Sequence, residues 1–338
     1  MVQESLHELG QLAQTAGALV LDMVSQARHS PDPKTYAGEG KIAELRERLE
    51  AVGGGALIFD DELSPSQAYN IETMSGQRVV DRTGLILDIF AQHAHSGEGK
   101  LQVEMAQLNY YLPRLKGLGL QMSRLGGGIG TRGPGETKLE TDRRRIRAKL
   151  SHLKKELERL GHSRNIQRAG RLRRQVFGAT LVGYTNAGKS MLLNKLTGAR
   201  ALVEDQLFAT LDSLTRKARL PGGKSIVISD TVGFINKLPH QLVAAFKSTL
   251  DEVRYANLLL HVVDVSSPNM EERMRVVEGV LAELGAGSIR RIVVCNKSDL
   301  LTPEVAEGLA AHPEYHVASA RTGAGLGELL EAIEKVAG

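Results

Sequence analysis

The chain has 338 residues, 42% of them apolar and 24% charged, so it can bury a core, is not disordered throughout, and is long enough for two folded units. One cysteine, Cys295, excludes an internal disulfide and a cysteine-based zinc site, and six Phe, seven Tyr and no Trp leave little material for base-stacking platforms. The net charge is only +4, but residues 136–174 hold fourteen basic against five acidic side chains, a block suited either to a solvated helix or to polyphosphate or nucleic acid.

The N-terminus carries Glu4 and Glu8 where a signal peptide needs basic residues, and no apolar run nears the ~20 residues of a membrane span, so a soluble cytoplasmic protein is expected. Residues 1–125 read as a small α/β domain. Short strands are expected at Ala18–Met23, Ala56–Asp60 and Arg78–Arg82, and helices at Lys41–Ala51, Ser64–Met74 and Leu101–Leu115.

Residues 126–175 form a linker. Gly126–Gly135 (GGGIGTRGPG) is expected to be a loop; its G-x-G-x-x-G match lacks a preceding strand and a following parallel unit and is no dinucleotide fingerprint, and Gly38-Glu39-Gly40-Lys41, which lacks the upstream glycine spacing and the following Ser or Thr of a phosphate loop, is expected to be a turn. From Lys138, with Thr137 and Glu140 spaced as a capping box, a basic helix is expected to run to Gly161. Its stripe of Ile146, Leu150, Leu153, Leu157 and Leu160 is expected to pack on another helix of the same chain, and the protein to be a monomer.

Residues 176–338 alternate strands and helices. The strand Val176–Val182 leads into Gly183-Tyr184-Thr185-Asn186-Ala187-Gly188-Lys189-Ser190 and a helix, the G-x-x-x-x-G-K-S pattern in its required context. Its backbone N–H groups can converge on phosphate, Lys189 can reach the β and γ phosphates, and Ser190 can ligate Mg2+. A second strand ends in Asp230-Thr231-Val232-Gly233, where a carboxylate can hold the magnesium shell and the Gly233 N–H can meet a γ-phosphate. Between them lies Phe208-Ala209-Thr210-Leu211-Asp212, whose Thr210 hydroxyl can close over the metal when the third phosphate is present. A third strand ends in Asn296-Lys297-Ser298-Asp299. The Asp299 carboxylate can accept from both N1–H and the 2-amino group of guanine, a pair adenine lacks, and downstream Ala318-Ser319-Ala320 can offer a backbone N–H to the guanine O6. Cys295, inside that strand, is expected to be a small core residue.

The strings GYTNAGKS, FATLD, DTVGFI and NKSD, together with TAGALV, GEGK, FDDELSPSQAYNIE, DRTGLILDIFA, LQVEMAQLNYYLPRL and GGIGTRGPGETKLETDRRR, resemble the HflX family of translation-associated GTPases over nearly the whole chain. The resemblance implies an α/β architecture: a Ras-like P-loop GTPase domain preceded by a small α/β HflX-type N-terminal domain and the basic helical linker. Family members commonly have an opening strand ahead of TAGALV and many have a further domain after the GTPase, whereas this chain ends at Ala337-Gly338; Met191 and Ser213 stand where the family usually has Thr and Pro.

Lys189, Thr210 and Gly233 are the expected catalytic set, with Mg2+ on Ser190 and Thr210. Phe234 stands where many regulatory GTPases carry a water-orienting glutamine, so slow hydrolysis is expected until a partner orders the switch. Asn186 resembles the ligand of an activating K+ ion. The partner implied by resemblance is the large ribosomal subunit and its rRNA, with splitting or rescue of stalled ribosomes under stress as the output; Arg143, Arg144, Arg145 and Lys149 are the expected RNA contacts. A ribosome-assembly or RNA-remodelling NTPase and a non-catalytic GTP-dependent binding module are the alternatives.

Overall fold

The structure, a computed structural model, describes residues 2–124, 134–173, 176–199, 206–208, 210–212, 214–239, 242 and 247–338. Two compact units form, one of Met1–Gln92 with Lys100–Arg159 and the other of His93–Gly99 with Leu160–Gly338.

The first unit opens with α1 (Val2–Thr15) and α2 (Glu39–Val52), followed by β1 (Ala56–Phe59), α3 (Pro65–Ser75) and β2 (Arg78–Asp81). β1 and β2 pair in parallel, with Ala56 opposite Arg78 and Phe59 opposite Asp81, so α3 is a crossover helix. Its start is written in the sequence: the Ser64 hydroxyl accepts from Gln67 N–H, the Gln67 side chain accepts from Ser64 N–H, and Pro65 takes the first helical position. Ile42, Leu63 and Ile71 bury the apolar faces of this layer.

Beyond β2 come α4 (Arg82–His93), α5 (Gly97–Arg124) and α6 (Pro134–Arg173). Arg82, 1% exposed, ion-pairs with Glu8 of α1 and with Asp60 at 2.7 Å, tying the first helix to the end of β1. Asp81 beside it accepts from Arg114, Tyr110 and the N–H groups of Leu63 and Gly84, so the charged ends of the strands are satisfied inside the unit.

Three sequence expectations need correction here. Gly38-Glu39-Gly40-Lys41 is a helix start rather than a turn: Gly38, at φ 85°, caps α2, and Glu39, Gly40 and Lys41 form its first turn. Residues 18–23 form no strand: among the described residues no strand pairs with them, and Leu19, Leu21 and Met23 lie exposed at 83%, 47% and 43%. β propensity in a short segment produces a strand only where a ladder partner exists. The basic helix is also longer than expected, starting three residues before Thr137 and running through Gly161 to Arg173. Gly161 and Gly170, both inside the helix, each cost about 1 kcal/mol against alanine, which the helix-favouring arginines, leucines and glutamines around them can offset. Residues 126–133 of the glycine-rich stretch fall outside the described residues, while Pro134 and Gly135 belong to α6. Along α6 Leu153 is buried, Ile146, Leu150 and Leu157 are half-buried, and Lys149 ion-pairs with Glu104 of α5, so the middle of the stripe is covered within the chain while Leu160 at its end lies exposed.

The second unit is built on β3 (Gly178–Gly183), α7 (Lys189–Thr197), β4 (Thr215–Arg219), β5 (Ser225–Ser229), α8 (Lys247–Arg254), β6 (Leu258–Asp264), α9 (Met270–Glu283), β7 (Arg291–Asn296), α10 (Pro303–Ala310), β8 (Tyr315–Val317) and α11 (Leu326–Ala337). Among the described residues six strands make one sheet in the order β4-β5-β3-β6-β7-β8, all parallel except β4. Leu181, Ile228, Leu260, Val262 and Val294 are fully buried, as in strands covered on both faces. From β3 the chain winds first to β5 on one side and then to β6 on the other, so the order reverses at β3. In open parallel sheets the crevice outside the strands' carboxyl ends at such a reversal is where ligands bind.

Candidate nucleotide site

That crevice is a cleft of about 390 Å3, lined by Thr185, Asn186, Gly188, Lys189, Ser190, Gln206, Phe208, Thr210, Thr231, Gly233, Asn296, Lys297, Asp299, Ala320 and Arg321 among others. The lining comes from every motif singled out in this part of the sequence, over more than a hundred positions of chain.

The loop 183–190 joins β3 to the N-terminus of α7. Gly188 has φ 90°, a left-handed conformation open to glycine, and a side chain there would collide with the Asn296 amide. Asn186 also has positive φ, 59°, and stands exposed on the rim. Tyr184 and Ala187 are buried, and the Lys189 ammonium turns back on the loop, donating to the carbonyls of Gly183 at 3.2 Å and Tyr184 at 2.9 Å. Burial lowers the Lys189 pKa to about 8, against the pull of the nearby Asp230 carboxylate. Asp230 is itself pushed up by burial, with Lys189 and its hydrogen bonds opposing. Desolvation therefore dominates both groups while no phosphate is present.

Asp230 ends β5. One oxygen accepts from Thr231 N–H, and the other accepts the Ser190 hydroxyl at 2.6 Å; the Thr210 hydroxyl lies 2.6 Å from Ser190 Oγ. Three oxygens from three separate segments thus converge at one point. An all-oxygen set with a single carboxylate fits Mg2+, which keeps several waters and shares its shell with substrate phosphates. Gly233 packs against the phosphate loop: a Cβ there would lie 2.6 Å from Thr185 Cα and 3.0 Å from Lys189 Nζ.

Thr231 and Val232 are buried, with the Thr231 hydroxyl donating to Leu181 O. Phe234 is 1% exposed and its backbone is stitched to the phosphate loop, its N–H donating to Gly183 O and its carbonyl accepting from Thr185 N–H. The ring is a core residue, so this position offers no group to an attacking water.

In the segment 208–212, Phe208 (φ 58°) is buried and donates its N–H to the Thr185 hydroxyl, Leu211 packs inward, and Ala209 lies outside the described residues. Asp212 turns to His95 and Ser96, accepting from both N–H groups at 3.1 and 2.7 Å and from the Ser96 hydroxyl. A side chain at Gly99 would run into that carboxylate.

The far end of the cleft carries Asn296, Lys297, Ser298 and Asp299 after β7. The Asn296 amide donates to Ala187 O at 2.8 Å and its oxygen accepts from Ala320 N–H at 2.9 Å, so one side chain braces phosphate loop and β8 loop together. Ser319 donates its hydroxyl to Asp299 at 2.6 Å, and Ser298 N–H donates to Ala318 O. The N–H groups of Ala318, Ser319 and Ala320 donate to Cys295 O, Ala324 O and Asn296 respectively, so all three are engaged within the protein. Cys295 is buried, as expected of a core thiol, and its pKa is raised to about 11 by that burial. One participant the motif reading missed is Asp264, at the end of β6, whose carboxylate holds Lys297 at 2.8 Å. Its signal was legible: an acidic residue closing an apolar strand, as Asp230 does.

A six-stranded sheet reversing at β3, with a phosphate loop, an oxygen triad and an Asn-Lys-x-Asp segment at its carboxyl ends, defines a Ras-like P-loop GTPase domain. Family models described as GTP-binding GTPase N-terminal, GTP-binding GTPase Middle Region and 50S ribosome-binding GTPase match residues 3–91, 93–171 and 179–297. The chain is 55% identical over 333 residues to the GTPase HflX of Caldanaerobacter subterraneus subsp. tengcongensis, covering 98% of this chain and 77% of that one. It is 45% identical over 339 residues to the GTPase HflX of Escherichia coli, covering 99% and 80%. A GTP-binding protein from Sulfolobus solfataricus, solved in complex with GDP, superposes over 99% of this chain and 96% of its own with TM-score 0.52 and 26% identity. The chain belongs to the HflX family of GTPases.

Proposed function

We propose that this GTPase uses its nucleotide cycle to associate with the large ribosomal subunit and to split or rescue stalled ribosomes under stress, acting in the cytoplasm as a monomer. The observation that carries the cycle is the meeting of Ser190, Thr210 and Asp230, because it makes the position of the 208–212 segment depend on what fills the cleft. In the proposed complex the loop Gly183–Ser190 wraps the phosphates, Lys189 leaves its loop carbonyls for the β and γ oxygens, and Gly233 N–H meets the γ-phosphate. Ser190 and Thr210 would hold Mg2+, which supplies charge neutralisation on the β and γ oxygens.

At the other end Asp299, oriented by Ser319, takes the guanine edge, and Asn296 links that recognition to the loop. The GDP complex of the archaeal relative supports a guanine nucleotide. With Phe234 in the core, hydrolysis is slow until a partner orders the switch, and Asn186, exposed at the rim, takes the role of a K+ ligand.

The partner is supported by the description of the family model over residues 179–297 and by α6, whose Arg144 and Arg145 are exposed to solvent. Reversing the charge of Arg143, Arg144, Arg145 and Lys149 should weaken RNA binding and flatten its salt dependence; Arg144 is the cleaner single test, because Lys149 also serves Glu104 and Arg145 lies 3.8 Å from Asp142. Among the described residues no helix is long and apolar enough to cross a membrane.

GTP turnover in potassium buffer, with and without purified large subunits and with ATP as control, tests the proposal. Stimulation confined to GTP and to subunits is the expected result, and its absence would overturn the ribosomal reading. Replacing potassium by sodium without effect would remove the role given to Asn186.

A further inference from the structure

Lys297 lines the base end of the cleft, and in the proposed complex its four-carbon stem forms a wall of the base subsite. A lysine stem is a poor wall by itself, since its many rotamers must be frozen each time ligand arrives. Here it is already frozen. The Lys297 ammonium sits 2.8 Å from Asp264 Oδ2, with the two side chains 26% and 13% exposed. The other oxygen of that carboxylate, Oδ1, accepts from the Ser266 N–H at 3.0 Å and the Ser266 hydroxyl at 2.6 Å, so the anion is fixed on its own turn.

The sheet sets the placement. Asp264 and Asn296 are register partners at the ends of the parallel strands β6 and β7, and Val265 N–H donates to Asn296 O, so the residue after Asn296 emerges beside the carboxylate. Lys297 has φ 65°, a left-handed bend at the head of the turn that carries Asp299. A second consequence is electrostatic. Asp299 lies two residues from Lys297 and already has the exposed Arg321 guanidinium 3.8 Å from its Oδ2, so a second cation on it would crowd out the base. An unpinned ammonium could swing onto it and compete.

We infer that Asp264 is a positioning residue for base recognition: it holds the Lys297 ammonium in place beside the cleft and keeps that charge off Asp299. The inference rests on the guanine-nucleotide reading of the cleft and assigns a further determinant of it. Asp264 touches no nucleotide; it acts through Lys297, and preorganisation of this kind is read out as affinity.

A double-mutant cycle on the full chain tests it, with GDP and ADP dissociation constants measured by calorimetry and apo melting followed in parallel. Asp264→Asn keeps an oxygen for the Ser266 turn and loses the charge; Lys297→Met keeps an apolar stem and loses the ammonium. Asp264→Asn should weaken GDP about fivefold, the scale of a partly exposed ion pair, and the double variant should bind no more weakly than Lys297→Met alone. Multiplicative single effects, or an unchanged GDP constant in Asp264→Asn, would overturn the inference; a merely structural role would give the former together with a lower apo melting temperature. Equal GDP and ADP affinity in the unaltered protein would instead defeat the guanine reading, whatever the cycle gives.

Discussion

The Ser190 and Thr210 hydroxyl oxygens lie 2.6 Å apart, although the two residues belong to different segments of the cleft. Ser190 donates its proton to Asp230, and Thr210 hydrogen-bonds to the same pair, so the two hydroxyls and the carboxylate form one shared network. A cation bound between them would replace these mutual hydrogen bonds. Thr210→Ala should therefore slow single-turnover GTP hydrolysis roughly tenfold or more while leaving the GDP dissociation constant within about twofold. Equal losses in both would show that Thr210 shapes the empty cleft rather than the reactive state.

Lys189 predicts a pH dependence. Its folded pKa, about 8, lies below the ordinary lysine value, so the unfolded chain binds more protons in the window between them, and apo stability should rise with pH from about 8 toward 10.5. Phosphate in the cleft restores the charged form. GDP binding near pH 8 should then take up a fraction of a proton and weaken as pH climbs from 7 to 9, visible as a buffer-dependent heat in calorimetry. A binding heat independent of buffer would contradict the lowered pKa.

Asp299 accepts from Ser319 on one oxygen and has the exposed Arg321 guanidinium 3.8 Å from the other, a loose pair that leaves acceptor capacity for the guanine edge. An asparagine there keeps the shape but presents an N–H to the 2-amino group. Asp299→Asn should cost roughly a hundredfold or more in GDP affinity, and xanthosine diphosphate, with a carbonyl at that carbon, should recover much of it. Failure of the xanthine nucleotide to bind better than GDP would point to a different recognition edge.

Asp212 is held by His95 and Ser96 two positions beyond Thr210. Gly99→Ala presses a methyl into that carboxylate and should loosen the Thr210 segment. GTP hydrolysis should fall severalfold with GDP affinity little changed, and an unaltered rate would show that the anchor is not needed for switching.

Arg82 stands buried between Glu8 and Asp60. Removing the guanidinium leaves two carboxylates facing each other in the first unit, and Arg82→Met should cost about 3–5 kcal/mol, read from denaturant midpoints. A loss under 1 kcal/mol would mean that water reaches the site on truncation.

The phosphate loop, the oxygen ligands, the Asn-Lys-Ser-Asp segment and the helix start at Ser64 were determined by sequence, because each needs particular side chains or glycine dihedrals at fixed short spacing, and local backbone geometry does the rest. Tertiary structure decided what depends on neighbours distant along the chain. Residues 18–23 carry a strand-like pattern but lack a ladder partner, so their alternation does not become a strand. Phe234 could be read as lacking a catalytic group, yet its burial follows from the pairing of its backbone with Gly183 and Thr185. Asp212 meets Ser96 across 116 positions, and Asp264 meets Lys297 because β6 and β7 run parallel in one register. No spacing rule in the sequence encodes such pairs: parallel strands place residues side by side through crossovers whose length the pairing does not depend on.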